Sequence, residues 1–306
     1  VEPERLVVLE ERRSRIDNRP GSILSEHINS ALYLNHPYRN PVIGWEHDIK
    51  GLTINRILAF YKKWYAPNNA ILVVAGDVTL NVLKPLAEKY YGNIPRRPKV
   101  IKTDIQEPIQ RAARRVELED KRVRQPVWRR AFLAPTLQWG EASHVYALEV
   151  LSDILGGGAS SRLYRQLVAK NKIAVSSGAY YTNTYKGPGR FIFYASPRGQ
   201  VSLDTLENAV EAEIEQIVNN GVTADEVNRA KRRLVAEAIY ARDSLNTGAR
   251  TLGAALAAGL TVEDIEQWPD RISAVTPQQV HAAAKVQFNK NYSVTGLLLP
   301  KKVDRP

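Results

Sequence analysis

Apolar positions along the chain recur at two spacings, one helical and one of strand type. Residues 4–17 repeat at helical spacing until Asn18, Arg19 and Pro20 stop the run. Residues 24–34 read as a second helix, which His36-Pro37-Tyr38 breaks into a loop. Thr53 is positioned to cap a helix that ends at Tyr65, and residues 81–91 form another, closed by Gly92 and Pro95. Between these two helices, residues 70–75 are wholly apolar. They read as a short buried strand, shut by Gly76-Asp77.

Residues 95–112 are rich in proline and charge, and the domain boundary is placed there. Strands are predicted near 113–119 and 128–134. A helix over 142–155 ends at Gly156-Gly157-Gly158, and a short helix follows over 161–170. Strands at 173–183 and 189–196 flank Lys186-Gly187-Pro188-Gly189 as an antiparallel pair. A helix over 203–219 stops at Gly221. Thr223 with Glu226, and Thr276 with Gln279, each have capping-box spacing. Residues 292–299 make the last strand.

The order helix, Asn-containing turn, apolar strand occurs twice. Thr53 matches Thr276, Tyr65 matches Phe288 and Asn68 matches Asn291 at constant spacing. The expected architecture is therefore α/β (α+β): two similar domains, each a mixed sheet flanked by helices. Residues 1–100 are the C-terminal part of the first domain and 107–306 are the second. On that count roughly 115–130 residues would precede Val1, most of a domain.

The chain has 44% apolar and 25% charged residues, ordinary for a globular protein. The net charge of +11 is spread over helix faces and connections. No nucleic-acid module accompanies it, so nucleic acid is not expected as a partner. With no cysteine, disulfides, thiolate metal sites and a Cys nucleophile are excluded. No stretch reaches the ~20 apolar residues of a membrane span. The compartment stays open, with the bacterial periplasm preferred over mitochondrion or cytoplasm.

Chemistry narrows to Glu4 and Glu11, two turns apart on one helix face. Such a pair can supply one metal ligand and one supporting carboxylate; an acidic stripe paired with Arg5, Arg12 and Arg15 is the plain alternative. None of the five histidines forms His-x-x-Glu-His or its inverse. A catalytic zinc needs about three protein ligands, and this chain offers one. The glycine run from Gly156 follows a helix and lacks a Lys-Ser/Thr, so it reads as a flexible loop opening a helix rather than a phosphate cradle.

Six segments in order resemble the M16, pitrilysin-type zinc peptidases, whose mitochondrial processing peptidase belongs to the same group. They are Glu4-Arg5-Leu6-Val7-Val8-Leu9-Glu10-Glu11, His36-Pro37-Tyr38, Tyr65-Ala66-Pro67-Asn68-Asn69, Val74-Ala75-Gly76-Asp77-Val78, Tyr91-Gly92-Asn93-Ile94-Pro95 and Leu155-Gly156-Gly157-Gly158-Ala159-Ser160-Ser161-Arg162-Leu163-Tyr164. The resemblance implies a zinc-dependent endopeptidase subunit acting on unfolded peptides. It makes Glu11 the third zinc ligand and Glu4 its supporting, catalytic carboxylate. The His-x-x-Glu-His segment would lie before Val1. Family members also carry an Arg and a Tyr after the glycine-rich loop, where this chain has Val168 and Val175. That departure implies a heterodimer whose partner supplies Arg and Tyr. The alternative is a non-catalytic core or scaffold subunit of the same fold.

Overall fold

The computed structural model describes residues 1–100, 103 and 105–301. Ile101, Lys102 and Asp104, within the expected linker, and 302–306, at the end of the expected second domain, lie outside the described residues. Helix α1 (Glu2–Arg12) runs into a π-helical turn at Arg13–Asp17 instead of continuing as one α-helix to Asp17. Pro20, which suits a first helical position, opens α2 (Pro20–Leu32). Helices α3 (Glu46–Lys50), α4 (Ile54–Trp64) and α5 (Leu80–Tyr91) follow.

The second part begins with β1 (Arg114–Asp120), β2 (Val127–Ala134) and α6 (Val145–Gly156). The expected short helix over 161–170 is mostly a π-helical turn, Tyr164–Lys170. Strands β3 (Ala174–Thr182) and β4 (Gly189–Pro197) come next, then α7 (Leu203–Asn220) and α8 (Ala224–Tyr240). Helices α9 (Leu245–Ala258), α10 (Val262–Glu266), α11 (Trp268–Ser273) and α12 (Pro277–Gln287) lead to β5 (Ser293–Pro300). Both predicted capping boxes form, at Thr223/Glu226 and Thr276/Gln279.

The five strands make one mixed sheet in the order β1-β5-β2-β4-β3, with β1 parallel to β5 and the other pairs antiparallel. Period-two alternation sorts its side chains. Trp128, Phe132, Phe191, Phe193 and Leu297 enter the main core under α6, α7, α8 and α12. Phe191 and Phe193 pack on Phe288 with ring centroids 4.9 and 5.1 Å apart. Ala131, Ile192, Val294 and Leu298 face the other way, onto Leu24, Ile28 and Leu32 of α2. Helix α2, from the first hundred residues, therefore covers the sheet of the second part. A Cβ on Gly296 would lie 2.3 Å from Ile28 Cδ1, so glycine lets the helix settle onto β5.

Residues 70–75 correct the sequence reading. They pair with no strand among the described residues, and Leu72 is 56% exposed. Ile57, Leu58, Phe60, Tyr61, Val74 and Leu86 are exposed as well. The composition is that of a buried strand, but among the described residues no strand pairs with it and Val73 alone of the run is partly covered. The repeat itself has a structural counterpart. Helix α4, the 3-10 turn Pro67–Asn69 and the strand-like run match α12, the 3-10 turn Lys290–Tyr292 and β5.

The end of α6 depends on Gly156. A Cβ there would lie 2.1 Å from both the backbone N and O of Ala179 in β3. Backbone cannot yield as a side-chain tip can. Gly156→Ala is expected to cost about 2–3 kcal/mol by forcing α6 from the sheet. A fall in the denaturant midpoint with an unchanged slope checks this; an unmoved midpoint contradicts it.

Candidate functional site

Helix α1 is oriented by its inward residues. Leu9 and Arg12 are buried, and Arg5 Nη1 donates to Leu52 O at 3.0 Å. Arg12 donates through Nη1 and Nη2 to the two carboxylate oxygens of Glu26 on α2, both at 2.9 Å. Its Nη1 also donates to Gly44 O at 2.8 Å. The Arg12 guanidinium lies 5.8 Å from the Trp45 ring centre. Its hydrogen bond to Glu26 holds its pKa above the ordinary guanidinium value, against the opposing effect of burial.

With that side fixed, Glu4 and Glu11 share an outward stripe with the exposed Val7. Glu4 is exposed. Glu11 is 42% exposed and accepts from Arg15 Nη2 at 2.7 Å across the start of the π-helical turn. It stands on the wall of a cleft of about 480 Å³ shared with Ser25, Glu26, Asn29 and Arg39.

The described residues do not by themselves form a zinc centre. No group of three or more His, Cys, Asp or Glu among them could hold a metal ion. The histidines have other surroundings. His36 Nδ1 accepts from Tyr38 N, His281 Nε2 meets Val218 O at 2.9 Å, and His47 faces Asp48. Glu11 offers a single carboxylate, and no reaction step can be derived through a metal from this set.

The glycine-rich loop is exposed over residues 158–160 and is tied to α8 through Ser160, with ion pairs on either side of it. Arg233 Nε donates to Asp153 Oδ1 at 2.8 Å and its Nη1 donates to Ser160 Oγ at 3.0 Å. Arg162 donates to both oxygens of Glu226, at 2.5 and 2.8 Å. Burial raises the Glu226 carboxyl, but hydrogen bonds from Arg162 and Thr223 outweigh it and hold the pKa at about 2. Val168 is buried in the main core. Val175 is exposed where the β3–β4 register slips between Ala174 and Ser176. Neither side chain can donate a hydrogen bond.

Sequence reasoning missed the junction that the His36-Pro37-Tyr38 motif makes. Tyr33 OH donates to Pro188 O at 3.1 Å, and the Tyr38 and Tyr185 rings lie 5.2 Å apart. Glu107 accepts the backbone N–H groups of Leu34, Asn35 and His36 at 2.6, 3.1 and 2.7 Å. A Cβ on Gly187 would lie 2.4 Å from His36 Nε2. The sequence signal was present in that glycine at the tip of a predicted hairpin.

A mixed five-stranded sheet with helices on one face and α2 on the other is the α/β architecture that this chain shares with M16 peptidase structures. The family described as "Peptidase M16 inactive domain" matches residues 51–234. The chain belongs to the M16 peptidase family. It is 31% identical over 231 residues to a zinc protease, PqqE, of Helicobacter pylori, covering 75% of this chain and 51% of that protein. It is 25% identical to a probable mitochondrial-processing peptidase subunit beta of Schizosaccharomyces pombe, covering 97% of this chain and 66% of that protein. The crystal structure of a protease from Helicobacter pylori superposes with a TM-score of 0.88 at 26% identity, over 97% of this chain and 71% of that one. The chain thus spans between half and two thirds of these curated relatives. Among the described residues, no helix is long and apolar enough to cross a membrane.

Proposed function

We propose that this chain is the larger part of the zinc-bearing subunit of an M16 endopeptidase that cleaves unfolded peptides. Glu11 contributes one zinc ligand and Glu4 supports it from two turns away. The two His ligands and the general-base Glu belong to a segment outside these 306 residues. The observation that carries this reading is the orientation of α1. Arg5, Leu9 and Arg12 anchor one side, which leaves Glu4 exposed and Glu11 on the wall of a cleft.

The domain reading is part of the proposal. Residues 1–100 complete a first domain and 107–306 form the second. The exposed apolar run at 70–75 then lies inside a first sheet, as β5 lies between β1 and β2. Each half lends a helix to the other. Helix α2 meets Gly296, and α9 meets Val73, the matching position of the repeat, with Val73 Cγ2 3.9 Å from a Cβ placed on Gly253.

A scaffold role is the second reading. The matched domain is described as inactive, and Glu11 is paired with Arg15. The match spans residues 51–234, however, and does not include Glu4 or Glu11. Val168 and Val175 favour a working pair in which a second M16 subunit brings Arg and Tyr. The full-length protein is expected to cleave a fluorogenic unfolded peptide only when that subunit is added. Full-rate cleavage by the isolated protein defeats the partner reading. No cleavage by the assembled pair favours the scaffold.

A further inference from the structure

Glu149 stands on α6 with Leu148, Val150 and Leu151, away from the α1 site. Its Oε1 accepts from Asn183 Nδ2 at 2.5 Å and its Oε2 from Trp268 Nε1 at 2.8 Å. No cation pairs with it among the described residues. The neighbouring elements direct their polar groups elsewhere. Tyr181 on β3 donates its hydroxyl to Pro135 O. Arg233 on α8 is engaged with Asp153. Arg271 on α11 donates to Tyr146 OH and Asp264 Oδ1, His281 on α12 faces Val218 O, and His144 lies beside Glu141. Burial pushes the Glu149 carboxyl up to about 7, with only two neutral donors opposing.

We propose that Glu149 is a proton-operated switch of the Asn183 amide at the start of the loop that follows β3. Ionised, its two oxygens accept from both donors and tie Asn183 to α6 and α11. Protonated, one oxygen must donate. An indole N–H can only donate, so Trp268 keeps the remaining carbonyl oxygen. The Asn183 amide can turn over and present its own oxygen. Asn183 opens the loop whose Tyr185 packs on Tyr38 and whose Pro188 accepts from Tyr33. Protonation therefore leaves Asn183 tied but turns its amide, at the start of the loop that meets the first hundred residues. The proposal is independent of the zinc reading.

The test is a pH titration of the 15N-labelled full chain from about pH 5.5 to about 8.5, which brackets neutrality. The Trp268 indole signal is assigned with Trp268→Phe. The indole and Asn183 amide signals are expected to move together with one midpoint near neutrality. Glu149→Gln should flatten both curves. Asn183→Ala should move the indole midpoint upward, because the ionised carboxylate loses a donor; this variant decides the matter if Glu149→Gln does not fold. Signals that stay still across the range overturn the proposal. So does the same midpoint in Glu149→Gln, which would place the titration on a histidine, or an unmoved midpoint in Asn183→Ala.

Discussion

Glu26→Gln is expected to lower the stability of the chain by about 3–5 kcal/mol, the cost of leaving one member of a buried ion pair alone. Arg12 and Glu26 side chains are each only 7% exposed. The pairing is two-pronged, so the neutral amide can accept at one oxygen and must offer N–H at the other, where Arg12 also donates. Asp17 lies 3.6 Å from the same guanidinium and holds the loss toward the lower end of the range. Denaturant unfolding of Glu26→Gln, Arg12→Met and the double variant gives the coupling. The double variant should recover much of the single losses, since no charge is then stranded. Strictly additive losses contradict this account of the pair. Loosening α1 from α2 also moves the stripe that carries Glu4 and Glu11.

On the proposed reading, Glu11→Gln is expected to give the opposite pattern: a large loss of activity with little change in stability. Its partner Arg15 is exposed, so removing the pair should change stability by no more than about 0.5 kcal/mol. If Glu11 is a ligand, peptide cleavage by the full-length protein with its partner subunit should fall by more than about 100-fold. Glu4→Gln, removing only a supporting carboxylate, should cost about 10–100-fold. Equal, small losses for both variants would return the stripe to ordinary surface charge.

Local rules written into the sequence were enough for most elements of the second part. Thr223 and Thr276 mark helix starts through residues three positions on, and alternation in 128–134 marks a strand whose faces differ. The allegiance of α2 was not legible. Its apolar residues announce an amphipathic helix, but periodicity does not say which sheet receives it. Residues 70–75 have strand composition, but composition does not say what a strand pairs with, and no strand among the described residues pairs with them. The Arg12–Glu26 pair was missed because Arg12, read alone, is one more charge on a charged helix and Glu26 a single carboxylate on α2; only the packing of α1 on α2 removes both from water. Glu149 left a faint signal, one of two carboxylates among the apolar residues of α6 and the one with no arginine beside it. Glu4 and Glu11 were singled out from spacing and resemblance; the fold leaves Glu4 exposed and pairs Glu11 with Arg15 on a cleft wall.

Zinc content tests the central claim most directly. The full-length protein, purified and dialysed against zinc-free buffer, should retain one zinc per chain, and Glu11→Gln should lose most of it while keeping its unfolding midpoint. Retention of the same zinc by Glu11→Gln, or none in the unaltered protein, contradicts a metal-ligand role for Glu11.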